Sequence, residues 1–220
     1  MGTVPPFSEL IATTASSAVH LEMRDAYTPD DRRFLDWLTG KPLPRPANPS
    51  WSELVRTHTA RGVRFRRARV VSEPLADYIR FEHAITDEVN VSAGEEVRWL
   101  PRRRASDLCL PGNDFWLFDD KLIRFSYFSG DGHILEDELV SDTAVAQMCS
   151  AAFEAAWERS IPMPITGYLN LAKPTHYNRR GHLAVIQRPA REAAARRAAA
   201  RHPSRRGSDR AGAVRGRRLA

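Results

Sequence analysis

Cysteine is almost absent from this sequence. Cys109 and Cys149 are the two present, too few for a disulfide scaffold and not spaced as metal ligands, which fits a reducing compartment. Long apolar runs are missing as well. No stretch approaches the roughly 20 residues of a membrane span, and no apolar core follows the first residues as in a secretory leader. Met1-Gly2 opens like a myristoylation signal, but Pro6 stands where Ser or Thr is required. A cytoplasmic protein without a membrane partner is expected.

Familiar catalytic motifs are missing too. There is no phosphate-binding P-loop, no G-x-G-x-x-G, no G-x-S-x-G and no H-E-x-x-H. The seven histidines are scattered, with no pair at ligand spacing. No cofactor and no metal are expected. His133 follows a turn glycine and reads as solvent-facing. Asp119-Asp120 invites an acid/base or metal reading, but paired aspartates at a strand end are more often turn formers. Glu136-Asp137-Glu138 reads as a solvated edge.

What is present is a core's worth of apolar residues, 42% of 220, enough for one substantial domain plus extras. The net charge of +6 is unevenly spread. Residues 167–220 hold 14 Lys and Arg against 2 Asp and Glu, or +12, and the remainder holds 19 against 25, or −6. The expected organisation is therefore a mildly acidic domain, 1–166, and a basic tail, 167–220. Arg191 to Ala200 is helical by propensity but has no large apolar face. From Arg201 onward the Arg, Gly, Ser and Pro content predicts disorder. Arg196, Arg197, Arg205, Arg206, Arg217 and Arg218 are candidate contacts to nucleic acid, bound without sequence preference.

Within the body, Phe115-Trp116-Leu117-Phe118 is a continuous apolar run between turn residues, as a strand buried on both faces reads. Leu122 to Phe128 and His133 to Leu139 follow as further strands around the Ser129-Gly130-Asp131-Gly132 turn. Phe7 to Ala15 predicts a short helix. Ala18 to Tyr27 alternates weakly and predicts an edge strand. Thr28-Pro29-Asp30-Asp31 predicts a helix start, with an apolar stripe of Phe34, Leu35, Trp37 and Leu38 ending at Gly40. Pro42 to Pro49 is a stiff connector, packed or spacing, with a PxxP docking ligand as the alternative. Asn48-Pro49 or Ser50-x-x-Glu53 caps the next helix. Val63 to Val71 predicts a strand. Its arginines, Arg64, Arg66, Arg67 and Arg69, form either a phosphate- or carboxylate-binding rim or, as favoured here, an exposed face bearing salt bridges. Pro74 starts another helix with Leu75, Tyr78, Ile79 and Glu82 in periodic positions, and Thr86 to Gly94 predicts a loop. Glu96 to Leu100 is a short strand. Asp142 caps the best helix, whose buried face is Val145, Met148, Cys149, Ala152, Phe153, Ala156 and Trp157. Alternating strands and helices predict an α/β domain with a mixed sheet.

Two resemblances follow from these segments. Gly62-Val63-Arg64-Phe65-Arg66, Val97-Arg98-Trp99-Leu100-Pro101, Phe115 to Asp120 and the Phe153-to-Trp157 helix end resemble a phospholipase D-like half. In that family a His attacks the phosphodiester, a Lys holds phosphate and an Asp completes the motif. Aligned on the apolar strand, the Asp falls on Asp119, the His on Gly112 and the Lys on Asp114, which implies a degenerate, non-catalytic version. A closer match covers roughly Phe7 to Pro162. Leu21 to Tyr27, the Pro42–Pro49 connector, Val70 to Tyr78, Asn113 to Asp120 and Phe153 to Arg159 look like the actinobacterial domain-of-unknown-function family 6879. Members tend to accompany helix-turn-helix regulators, so the resemblance implies a regulator protein as partner. The expectation is a non-catalytic interaction or sensory domain, with contacts at Arg64, Arg66, Asp119 and Arg124. Nucleic-acid binding through the tail is the alternative, and a phosphate-ester hydrolase using other residues a weaker one.

Overall fold

The computed structural model describes residues 4–163; the basic segment from residue 167, with its six candidate arginines, lies outside the described residues. In chain order the elements are α1 (Phe7–Thr13), β1 (Ser17–Glu22), α2 (Arg32–Leu38), α3 (Pro49–Ala60), β2 (Arg64–Val71), α4 (Asp77–Val89), β3 (Glu96–Pro101), β4 (Asp114–Phe118), β5 (Leu122–Phe128), β6 (Ile134–Val140), α5 (Thr143–Arg159) and β7 (Ile161–Pro162), with 3-10 turns at Val91–Ala93 and Arg102–Ala105. The seven strands of the described residues join one sheet in the order β6-β5-β4-β1-β2-β3-β7. β1, β2 and β3 run parallel. β4 lies antiparallel to β1, and β5 and β6 extend it as an antiparallel meander. The fold is thus the mixed α/β domain that the alternating pattern implies.

Side chains alternate across the sheet, and this divides the core. Val19, Leu21, Ala68, Val70, Leu100, Phe115, Leu117 and Ile123 share one face with Cys149, Phe153, Ala156 and Trp157 of α5. Ala18, Phe65, Trp116 and Phe118 face the other way, toward Leu10 and Ile11 of α1 and Val55 of α3. Ile79 of α4 packs with Val71, Val97 and Trp99 on that same side. Both faces of β4 are covered, which is why Phe115 to Phe118 is apolar at every position.

Local chemistry sets the helix ends. The Asp142 carboxylate accepts from the backbone N–H groups of Ala144 at 2.9 Å and Val145 at 3.0 Å, capping α5. Asn48 caps α3, its side chain accepting from Trp51 N, with Pro49 in the first turn; of the two expected caps this is the one formed. Glu53 pairs instead with Arg56 on the surface.

Several expectations are corrected. β1 is not an edge strand but sits between β2 and β4. Its alternation is weak because His20 and Glu22, polar by type, also point into packed structure. α2 is capped by Asp31, whose side chain accepts from Arg33 N, and not by Thr28, which has a positive φ of 43°. The helix expected from Pro74 starts at Asp77 and runs through the expected loop as far as Val89, because Ile85 and Val89 continue its buried stripe. Met148 is 48% exposed, since it lies about 100° around the helix from Cys149.

Trp157 is buried, stacks on Phe153 with ring centroids 5.6 Å apart, and carries the Arg98 guanidinium 4.1 Å above its ring. Trp157→Ala is expected to cost about 3–5 kcal/mol, as large aromatic truncations in cores do. Urea unfolding measures this, and a midpoint equal to that of the wild type would show that the α5 contact does not support the sheet.

A charged and aromatic sheet face as the candidate site

β2 carries arginine at both of its middle positions facing α3 and α4. Arg67 and Arg69 are 8% and 4% exposed. A buried guanidinium is tolerable only when paired and hydrogen-bonded, and the surrounding elements supply the partners. Arg67 Nε donates to Glu95 Oε1 at 2.7 Å, and its Nη1 donates to Glu22 Oε1. Arg69 Nη2 lies 2.6 Å from Glu82 Oε2, and Nη1 donates to Thr86 Oγ1 at 3.2 Å. Arg69 Nε is 2.6 Å from Glu22 Oε2, an ion pair by distance, although its N–H is not aligned as a hydrogen bond. Glu95 is completed by Trp51 Nε1 at 3.0 Å and Asn90 Nδ2 at 2.6 Å. Burial alone would raise the Glu22 pKa, but Arg69 and Arg67 overcome it and bring it to about 2.

Aromatic rings close around this network. The Arg67 guanidinium lies 5.3 Å from the ring centroids of both Trp51 and Trp116. His20 stacks on Trp116 at 4.2 Å. Burial holds the His20 imidazole well below its usual pKa despite Glu22 nearby, so it is neutral at physiological pH, and its buried Nδ1, 3.3 Å from Glu22 Oε1, makes no aligned hydrogen bond among the described residues. Two cavities adjoin this stack. One, of about 250 Å³, lies over Arg67 and Arg69 beneath Trp51 and Asn90. The other, of about 230 Å³, is bounded by Glu22, Tyr27, Asp114, Arg124, Phe128 and Asp137. His20 and Trp116 line both.

Asp114 begins β4 on this face. Its Oδ1 accepts from Met23 N at 2.9 Å and its Oδ2 from the Tyr27 hydroxyl. Burial raises its pKa, the Tyr27 hydrogen bond opposes this, and the charge of Glu22 adds to the rise, leaving it at about 6. A second polar cluster ties the loops after the parallel strands. Arg102 Nη2 donates to the carbonyls of Met23 at 2.6 Å and Val70 at 3.2 Å, and Asp25 accepts from the backbone N–H and hydroxyl of Ser72.

The four expected contact residues do not converge. Arg64 is exposed and pairs with Glu96. Arg66 lies on the α5 face, forked onto Glu154 and stacked over Phe153. Asp119 is a structural tie: its carboxylate accepts from the backbone N–H groups of Ala15, Ser16 and Ser17 at 2.7–2.9 Å. Burial would raise its pKa, but those donors bring it to about 2. Arg124 alone lines a cavity of the charged face, paired with Asp137 at 2.6 Å. The exposed arginine face expected of β2 is also corrected, because only Arg64 is exposed; salt bridges are present, but the four made by Arg67 and Arg69 lie inside. Reading residues 64–69 by their period of two would have flagged Arg67 and Arg69 on the face of Phe65. Nothing local flags Glu22, Glu95 or Asp114. Among the described residues no group of three or more His, Cys, Asp or Glu side chains is placed to hold a metal, and no helix is long and apolar enough to cross a membrane.

Fold and site together define a single-sheet mixed α/β domain with a charged, aromatic-walled hollow in one sheet face. The chain belongs to the family described as Domain of unknown function (DUF6879), whose model matches residues 5–165. No curated protein matches it. Among solved structures it is similar to that of TrmBL2, an archaeal chromatin protein described as showing a novel mode of DNA binding, at 11% identity and a TM-score of 0.40, over 70% of this chain and 47% of that one. The chain thus spans less than half of that protein's length, and a likeness this distant carries no argument about function.

Because the Asp114 carboxyl is raised from 3.8 to about 6, the folded state holds its proton to higher pH than the unfolded state. Its contribution to stability is full below pH 4 and is lost as pH rises through 6. Relative to Asp114→Asn, the wild type should therefore lose on the order of 2 kcal/mol between pH 4 and pH 7. Denaturant midpoints of the two proteins across this range measure it, and parallel pH profiles would refute it. Glu22 and His20 are present in both proteins, so the difference reports Asp114 together with its coupling to Glu22.

Proposed function

We propose that this is a non-catalytic sensory or interaction domain that works beside a helix-turn-helix transcription regulator and reads a small ligand in the hollow around His20 and Trp116. The observation that carries this reading is the hollow itself: two cavities sharing one stacked His–Trp pair, on a sheet face whose buried arginines are already matched by carboxylates. Polar groups converging between aromatic walls are the usual make-up of a small-molecule site. The regulator partner rests on the family resemblance alone, and fold by itself assigns no function.

The non-catalytic part rests on the phospholipase D-like pattern. Where that pattern needs a histidine nucleophile and a phosphate-holding lysine, this chain has Gly112, exposed ahead of β4, and Asp114, a buried acid. An acid there repels phosphate. Asp119, at the remaining motif position, is taken up by backbone donors. The weaker hydrolase reading therefore has no nucleophile to build on in this motif. The pure protein is expected not to cleave a chromogenic phosphodiester. Turnover above background that is lost in both Asp114→Asn and Asp119→Asn would overturn the reading.

A second reading is favoured by the charge of the C-terminal segment, +12 over residues 167–220. Such a segment binds nucleic acid by releasing counterions, without sequence preference. Its expected signature is binding to arbitrary duplex DNA that weakens steeply with salt and disappears when residues 167–220 are removed. Binding that survives the deletion would place the contact elsewhere.

A further inference from the structure

We infer that the cavity beside β4, β5 and β6 takes a small organic cation, an alkylammonium head group set between the carboxylates of Asp114 and Glu22 and the rings of Trp116, Tyr27 and Phe128. This deepens the ligand-reading proposal above and rests on it.

The charges around the cavity do not balance. Asp137 answers Arg124. In the adjoining network Glu22, Glu82 and Glu95 are three acids shared by two guanidinium groups, Arg67 and Arg69, which leaves one negative charge over, and of the three Glu22 lines this cavity. Among the described residues Asp114 has only neutral donors, the Met23 N–H and the Tyr27 hydroxyl, which leaves a second. Arg24, 5.0 Å from the Phe128 ring and donating to the Ser129 carbonyl, offsets part of this. Among the described residues the wall is therefore short of positive charge.

Its hydrogen bonding points the same way. A carboxylate has about four acceptor positions, and Asp114 and Asp137 each use two of theirs on the protein. The hydroxyls of Tyr27 and Ser126 are already donated to Asp114 and Asp137. Unfilled acceptors facing a hollow call for a ligand that donates or is positive. Aromatic faces beside those carboxylates favour a cation in the way quaternary ammonium sites do. The hollow, about 230 Å³, is smaller than the roughly 300–1,000 Å³ of drug-sized sites, which limits the ligand to a small head group. The raised Asp114 pKa agrees with a carboxyl lacking a counter-charge.

The test is calorimetric titration of the full chain with methylammonium chloride, tetramethylammonium chloride, the neutral isostere 3,3-dimethylbutan-1-ol and sodium phosphate. At least one of the two cations should bind, and the isostere and phosphate should bind more weakly. Cation affinity should rise about tenfold from pH 5 to 7.5, as a carboxyl with a pKa near 6 loses its proton. The titratable or charged groups facing Asp114 are His20, Glu22, Arg24, Tyr27, Arg124 and Asp137. Asp114→Asn should weaken the cation about tenfold or more and remove the pH dependence, and Glu138→Gln, on the opposite sheet face, should change neither. If Asp114→Asn does not fold, Phe128→Leu removes a ring while keeping bulk and should weaken the cation by a factor of about three or more. Cation affinity equal to that of the isostere, or unchanged in folded Asp114→Asn or Phe128→Leu, overturns the inference. Phosphate binding that is lost in Arg124→Gln overturns the inference but keeps the ligand-reading cavity. No binding by any probe at roughly 10 mM, a dissociation constant in the weak millimolar range, overturns both.

Discussion

The demand of two buried guanidinium groups for matched carboxylates organises one whole side of this domain. Arg67 and Arg69 sit on a strand in the interior of the sheet and face α3 and α4 instead of water. Charges buried there must be answered, because removing one member of such a group typically costs about 3–5 kcal/mol. The answers come from three places distant in sequence: Glu22 at the end of β1, Glu82 in the second turn of α4, and Glu95 just before β3. This constraint positions α4 over the sheet, pins the turn at Asn90 through Glu95, and orients Trp51 through its indole N–H. Replacing such a network with apolar residues is often neutral or stabilising, so its presence is not by itself a source of stability.

The two sheet faces follow different physics. Under α5 the contact is dry, built from Phe115, Leu117, Phe153 and Trp157, with Arg66 and Arg98 laid across the rings at its margin. On the opposite side, apolar clusters under α1 and α3 and under α4 flank a polar middle. The chain spends further polar groups on connections: Asp119 holds the segment before β1, and Asp25, Ser72 and Arg102 join the loops after all three parallel strands. Apolar packing thus fixes the architecture, and polar ties hold the loops that border the hollow.

Much of the architecture was legible in residues close together along the chain. Phe115 to Phe118 announced a doubly covered strand, Asp142 and the stripe ending at Trp157 announced α5, and Asn48-Pro49 announced α3. Each signal is local, a period or a cap that neighbouring residues complete by themselves. The failures were also local in origin. His20 and Glu22 disguised a central strand as an edge, and Thr28 stood in for Asp31 as a cap. Asp119 looked like a contact residue because its backbone partners, Ala15 to Ser17, lie about a hundred positions away.

The sequence by itself determined the mixed α/β class, the doubly covered strand β4 and the caps that start α3 and α5. These rest on residue type, spacing and composition, which need no folded chain to be read. Tertiary structure alone decided which arginines lie inside, which carboxylates meet them, and that Asp114 shares a cavity with Glu22 and Trp116. The physical reason is that a buried charge is defined by its partners and its distance from water, and both are set only when strands and helices far apart in sequence are packed together.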